Sequence, residues 1–347
     1  MAYQYESLIP DLIADMGKRQ MSIIKRRFGL ADGEPCTLAR LGAEYGITRE
    51  RVRQIESAAL ATVRERIHAH PQGKRFIASV RAHLARYGNA RRERNLVADF
   101  CSPESKTSEA AFAFLLAASG AFSFRREDHA YHALWHDADH SHDRVAAFLE
   151  SLENDIVKKK EAVLKSGGAE FRAALARVAS ETGVQSTIAE NYLALSKRFG
   201  RNPYGDRGLS SWPEILPKTM RDRAYLVLKK DTTPLHFHAI AERINALTFA
   251  NPKQAHPSTV HNELIKDKRF VLVGRGTYSL AEHGHVPGTA KDVIARILKT
   301  NGPLPAERII ALVQNERLFQ KNTILLNLQN KKLFRRHADG SYRVNAV

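Results

Sequence analysis

Cysteine is nearly absent: among 347 residues there are two, Cys36 and Cys101. Two thiols cannot build a cysteine-rich zinc site, and so low a number suits a reducing compartment. Long apolar runs are missing as well. The most apolar stretch, Ala110 to Phe122, is too short and too alanine-rich to span a bilayer, and no signal-peptide pattern opens the chain, so a cytoplasmic location is expected. Enzyme motifs are also lacking. The GRGTY string at 274–278 has neither the Lys-Ser/Thr pair nor the following helix of a phosphate loop, and no GxSxG, paired-aspartate or Cys-His arrangement stands out. The sequence therefore calls for no catalytic residue, no cofactor and no metal. Acid is scarce relative to base, with 37 Asp+Glu against 54 Lys+Arg, a net charge of +17 and a pI near 9.9. That excess favours a polyanionic partner through counterion release.

What is present is concentrated between Thr37 and Val63. Thr48 can cap a helix in which Val52, Ile55, Ala59 and Val63 recur at helical spacing as a buried stripe, leaving Arg49, Glu50, Arg51, Arg53 and Gln54 on the opposite face. Arginines at the positive end of a helix dipole cost roughly a few tenths of a kcal/mol each, so folding gains nothing from them. Arg offers a fork to guanine, Gln to adenine, and Glu accepts from cytosine, which is a side-chain set for reading a major groove. The bland alternative for such a charge run is a solvated helix face. Upstream, Thr37 can cap a short helix, LARLGAEY, with Leu38, Leu41 and Gly42 inward, and Gly46-Ile47 then turn the chain into Thr48. This is a helix-turn-helix.

The string RRFGLADGEPCTLARLGAEYGITRERVRQIESAALATVR, Arg26 to Arg64, resembles region four of the primary bacterial sigma factors, which binds the upstream promoter hexamer. The resemblance implies base and phosphate contacts from Arg49, Glu50, Arg51, Arg53 and Gln54, with Thr37 and Thr48 beside them, and a polymerase-facing side at Arg26 to Leu30. It departs from the family where Ala39-Arg40 stand in place of the usual acids. Nothing resembles the strand-capturing regions of a sigma factor, so promoter opening by this chain alone is not expected.

The C-terminal part carries an internal repeat. Thr259, Phe270 and Tyr278 map onto Thr323, Phe334 and Tyr342 with one constant offset, and each set follows a matching pair of helical segments. Each unit reads helix, helix, helix, strand, turn, strand, which is the order of a winged helix. A fainter copy runs from about 170 to 212, ending in the wing-like NPYGDRG. The copy from Arg221 to Glu282 resembles the HARE-type helix-turn-helix domains, through DRAYLVLKK, PLHFHAIAERI and HPSTVHNELIKDKRFVLVGRGTYSL. That resemblance implies a DNA or transcription setting without fixing a reaction. Ser258, Thr259, His261, Asn262, Lys266 and Lys268 are expected on or just after the third helix with Val260, Leu264 and Ile265 inward, and Arg275 at a hairpin tip suits a phosphate. Equally, many winged helices serve as protein-docking modules.

Between head and tail, Phe76, Val80, Leu84 and Tyr87 mark one amphipathic helix, and Val145, Phe148, Leu149, Leu152 and Ile156 another. The segment Glu127 to Asp143 holds five histidines and four aspartates; placed one helical turn apart, His132 and His136 could share a metal with Asp139, His140 or Asp143, although a polar surface loop is the plainer reading. The expected fold is mainly α. It comprises a helix-turn-helix over 1–70, a helical middle region over 73–168, a degenerate winged helix over 169–218, and tandem winged helices with small β-wings over 221–284 and 289–347. The expected function is sequence-specific DNA binding in transcription, with double-stranded DNA as partner and RNA polymerase as a second. The alternatives are a scaffold, whose tail grips polymerase or a restriction partner, and a DNA-modifying enzyme with an unrecognised site in the middle.

Overall fold

The apolar run at 110–122 becomes the buried centre of the N-terminal half. A computed structural model describes residues 5–102, 105–140, 143–284, 289–316 and 319–345, and the chain divides into two compact units, Met1–Phe199 and Gly200–Val347.

In the first unit a 3₁₀ turn, Tyr5–Leu8, leads into α1 (Ile9–Ile13), α2 (Lys18–Phe28), α3 (Leu38–Tyr45), α4 (Arg49–Ala69) and α5 (Pro71–Arg86). Then come β1 (Ala90–Arg92), α6 (Glu93–Phe100), α7 (Lys106–Ser119), β2 (Phe122–Arg125) and β3 (Leu134–Asp137). Helix α7 starts where the Ser105 hydroxyl accepts from the Ser108 N–H at 3.2 Å, and Phe112, Phe114, Leu115, Leu116 and Ala118 on it are fully buried. Around it pack Ala59, Val63 and Ile67 of α4 and Phe76, Val80 and Leu84 of α5, in one cluster that runs from Leu8 to Trp135. Each large side chain in that cluster contributes about 1.5–3 kcal/mol by leaving water. The core is thus continuous across residues 70–73, where the sequence suggested a boundary. The middle region is not purely helical either. Strands β1, β3 and β2 form an antiparallel sheet in that order, with Arg91 opposite Trp135 and Phe124 opposite the same residue on the other side.

The sheet corrects the histidine reading. His136 lies within β3 and His132 in the loop before it, so the two imidazoles are not stacked along a helix as the spacing suggested; the backbone N–H of His132 instead donates to Leu195 O at 2.9 Å. No cluster of His, Cys, Asp or Glu able to hold a metal occurs among the described residues, and Ser141 and His142 of this segment lie outside them.

The first unit continues with α8 (Asp143–Lys158), α9 (Lys160–Lys165), α10 (Ala169–Glu181) and α11 (Ser186–Leu195), and reaches β4 (Phe199–Arg201). The predicted stripe Val145, Phe148, Leu149, Leu152 and Ile156 is buried, and α10 and α11 pack on α8. Buried Asn191 of α11 donates to Tyr87 O at 2.8 Å and Ala90 O at 2.7 Å, tying these helices to β1.

The second unit begins with an ordered turn in the NPYGDRG segment. Asn202 and Asp206 are both 4% exposed, and Asn202 Oδ1 accepts from the Tyr204 and Asp206 N–H groups at 3.0 Å each. After β5 (Arg207–Leu209) two copies of one module follow. The first has α12 (Met220–Asp231), β6 (Leu235–His236), α13 (Phe237–Ala246), α14 (Pro257–Lys266), β7 (Phe270–Gly274) and β8 (Thr277–Leu280). The second has α15 (Ala290–Asn301), β9 (Leu304–Pro305), α16 (Ala306–Glu316), α17 (Lys321–Leu328), β10 (Phe334–Arg336) and β11 (Ser341–Val344). Both open with a capping box, Thr219 with Asp222 and Thr289 with Asp292. Both sheets have the same strand order, β6-β8-β7 and β9-β11-β10, with Leu235 opposite Tyr278 and Leu304 opposite Tyr342. Each copy has its own core, one holding Phe270 and Tyr278, the other holding Phe334 with Tyr342 packed at its edge. No helix among the described residues is long and apolar enough to cross a membrane.

Candidate nucleic-acid interface

Two threonine caps and two glycines shape the N-terminal helix pair. Thr37 Oγ1 accepts from the Arg40 N–H at 3.3 Å and starts α3; Thr48 Oγ1 accepts from the Arg51 N–H at 3.1 Å and starts α4. Gly46 ends α3 at φ +64°, a conformation open to glycine and strained for residues with a Cβ. Gly42 meets a different demand. A Cβ there would lie 2.8 Å from Ile47 O, because the turn folds back until the Ile47 N–H bonds Gly42 O at 3.0 Å. A small core of Ile23, Cys36, Leu41 and Val52, with Leu38, Tyr45, Ile47 and Ile55 against it, locks α3 and α4 together. Helix α2 is stapled to this pair by polar contacts: Arg19 Nη2 to Tyr45 O at 2.8 Å, Ser22 Oγ with Tyr45 Oη at 2.6 Å, Arg27 Nε to Glu56 at 3.0 Å, and Arg26 to Glu44. Arg40 also reaches Glu44, at 3.4 Å, which gives that residue a local partner one turn away.

Helix α4 is about 30 Å long at its usual rise, and its two ends face different surroundings. Ala59, Val63 and Ile67 are sunk in the main core, whereas Arg49, Glu50, Arg51, Arg53 and Gln54 are exposed on the first two turns. Two i,i+3 pairs link these side chains. Arg53 donates from Nε and Nη2 to the two Glu50 oxygens at 2.9 and 2.6 Å, and Arg51 Nη1 donates to Gln54 Oε1 at 3.1 Å. The Arg53 hydrogen bonds hold the Glu50 carboxyl below its ordinary range, and the same contact raises the guanidinium. Both groups are more than half exposed, so the pair contributes little to stability. Its effect is geometric: one edge of the Arg53 fork is occupied, Nη1 lies outside the pair, and the planar group has a defined orientation. The i,i+3 spacing of Glu50 and Arg53 was available in the sequence as the signal for it.

The second unit scatters the remaining predicted residues. Ser258, Thr259 and Asn262 are exposed on α14. His261 is half-buried, with its ring 4.7 Å from Phe237 and 5.9 Å from Tyr278, so part of it belongs to the module's core rim. Lys266 lies 3.6 Å from Glu263, while Lys268 is exposed after the helix and Arg275 is exposed in the β7–β8 turn. Val260 and Leu264 point inward as expected, but Ile265 does not: it is 63% exposed, because the helix has only a narrow contact with α12 and α13 and position 265 falls outside it.

The geometry at the N-terminus is that of a helix-turn-helix whose second helix starts with an exposed, polar face. Residues 12–65 match the family model for Sigma-70, region 4, so this segment is a region 4 domain of that kind. Similar stretches occur in the RNA polymerase sigma-C factor of Nostoc sp. (strain PCC 7120 / SAG 25.82 / UTEX 2576), 51% identical over 63 residues, covering 17% of this chain and 15% of that protein. The RNA polymerase principal sigma factor HrdD of Streptomyces griseus is 45% identical over 60 residues, 17% of this chain and 18% of that protein. HrdD of Streptomyces viridifaciens is 47% identical over 57 residues, 16% and 17% respectively. The chain thus spans less than a fifth of the length of these relatives, and the matched stretches cover no more than 17% of this chain.

Proposed function

We propose that this chain is a sequence-specific DNA-binding transcription regulator that works beside RNA polymerase and reads a promoter-like element through the start of α4. One observation carries the reading: Arg49, Glu50, Arg51, Arg53 and Gln54, side chains suited to base edges, are all exposed at the start of a capped helix, in a segment that matches Sigma-70, region 4. The relatives are RNA polymerase sigma factors by name, which is what suggests polymerase as a partner. The role assigned is binding, without a reaction. The modules α12–β8 and α15–β11 are read as winged helices, the first of HARE type, on the strength of three helices followed by a β-hairpin whose first strand starts with a core phenylalanine.

A second reading is favoured by Ile265. Ile265 is 63% exposed on the third helix and Lys266 already faces Glu263, which leaves that helix less charge to offer a phosphate. In that case the tail is a scaffold and the head alone contacts DNA. Selection from a random duplex pool supplies the preferred site. On that site Arg53→Ala or Gln54→Ala is expected to cost about 1–3 kcal/mol, with much smaller losses on random duplex. Equal losses on both would remove the base-reading role. Footprint length separates the two readings, since a lone head protects about one helical turn.

A further inference from the structure

The last module carries a surface that its twin lacks. In the first module Val271 lies opposite Ser279 across β7 and β8, and the two are 3% and 0% exposed. Their neighbours Phe270 and Tyr278 fill the three-helix core, so strand alternation places Val271 and Ser279 on the other, outer face of the sheet. The matching pair in the second module is Arg335 opposite Arg343, and both are exposed. Two guanidiniums directly opposed on antiparallel strands repel each other, and the twin forms the same hairpin with a buried Val271/Ser279 pair in their place.

Among the described residues no acid relieves this repulsion. Residues 331–345 hold Lys331, Lys332, Arg335, Arg336 and Arg343 against one carboxylate, Asp339, which accepts instead from the Ser341 N–H at 3.0 Å and hydroxyl at 2.7 Å. Among the described residues none pairs with Lys331, Lys332, Arg335 or Arg343. Asn345 Nδ2 donates to Lys331 O at 2.8 Å and Lys332 O at 3.2 Å, so the two lysines are fixed beside the returning strand rather than trailing from it.

We infer that the outer face of the β10–β11 sheet is a phosphate-backbone site for duplex DNA, formed by Lys331, Lys332, Arg335 and Arg343. Arg335 and Arg343 lie on the strands themselves, not on the third helix or at the hairpin tip. Strands β10 and β11 expose no large apolar or aromatic side chain, so the face has nothing on which single-stranded bases would stack and nothing to enter a bilayer. A regular array of duplex phosphates needs neither. The inference rests on the DNA-binding reading of the head for its choice of polyanion, and it predicts affinity without sequence preference.

The test uses the full chain with Arg335→Gln and Arg343→Gln together, titrated against the selected site and a random duplex over a salt series. Loss of two phosphate contacts should make the log-log salt slope less steep by about 1.8, lower affinity by the same factor on both duplexes, and leave the preference ratio unchanged. The thermal midpoint without DNA should hold or rise, because a repulsion is removed. Should it fall, Arg335→Lys with Arg343→Lys keeps the charge and is expected to restore the slope. An unchanged slope and affinity overturns the inference, and so does binding to phosphatidylserine/phosphatidylcholine vesicles that the double variant loses while duplex binding stays intact. A chain with no sequence preference but the expected slope change would sink the reading of the head and leave this surface standing.

Discussion

Gly42→Ala tests whether the close turn between α3 and α4 is what aims α4, the proposed reading helix. Two effects oppose each other. Alanine gains up to about 1 kcal/mol over glycine in a helix interior, which taken alone predicts a more stable protein. Against it, the new methyl would lie 2.8 Å from Ile47 O, 3.3 Å from Arg49 N and 3.4 Å from Thr48 C, all backbone atoms with no rotamer to yield. Overpacking of this kind typically costs about 1–3 kcal/mol, so once the helix gain is subtracted a net loss of about 0–2 kcal/mol is expected. Relief of the clash must move the turn and with it the start of α4, so DNA affinity should fall even where the variant is fully folded. Gly46→Ala is the control: no atom lies within 4 Å of its added methyl, and the penalty arises from φ +64° alone, about 1–2 kcal/mol. It should lose similar stability with a smaller loss of binding. Urea unfolding in a Trp212→Phe background leaves Trp135, which sits in the first unit's core, as the fluorescent reporter. If Gly42→Ala proves as stable as the parent and binds the selected site equally well, the aiming role assigned to the turn is wrong.

Other outcomes follow from the same contacts. Phe334 is 2% exposed in a core separate from that of Phe270, so Phe334→Ala, at about 3–5 kcal/mol, should melt the last module and spare the one before it; limited proteolysis that digests both modules at once would mean a single cooperative tail. The Glu50 carboxyl is held low by Arg53, so their pairing is complete above the unfolded carboxylate range and is lost as pH falls through the lowered folded value. An NMR titration should accordingly show the Arg53 Nε resonance moving only in acid, and in Glu50→Gln not at all over that window.

Where the pattern was local, the sequence was sufficient. Thr37, Gly46 and Thr48 specify both helix ends through their own chemistry, and the LARLGAEY helix runs between Leu38 and Tyr45 as read. The tail repeat was legible for a similar reason: a core phenylalanine opening one strand and an aromatic on the returning strand recur with a fixed offset. The middle was not, because its strands are only three or four residues long and β1 pairs with a strand far along the chain, Arg92 lying opposite Leu134. Such short strands give periodicity too little length to register. The histidine segment failed on the same ground, since an i,i+4 spacing has meaning only on a helix. Ile265 escaped because an aliphatic residue at helical spacing reads as core whether or not a neighbour is there to cover it.

The head's boundary matters most for experiment. Every proposed base-reading residue precedes Ala69, and on sequence alone a fragment ending there should carry the site preference. The packing argues otherwise. Leu12, Ile13, Ile24, Val63 and Ile67 are each at most 2% exposed, in the cluster that also holds Phe76, Phe112, Phe114 and Leu115. Removing everything after Ala69 returns much of those five side chains to water, at about 1.5–3 kcal/mol for each one fully exposed. That is comparable with the whole stability of a typical domain, about 5–15 kcal/mol. The small core of Ile23, Cys36, Leu41 and Val52 would then have to hold α2, α3 and α4 by itself. Fragment 1–69 is therefore expected to melt without cooperativity and to bind DNA with no preference, whereas fragment 1–199, which ends at the unit boundary, should keep both fold and preference. Dispersed amide resonances and a sharp thermal transition from the shorter fragment would show that the head is an independent domain, and that the shared core stabilises the middle region rather than the reading helix.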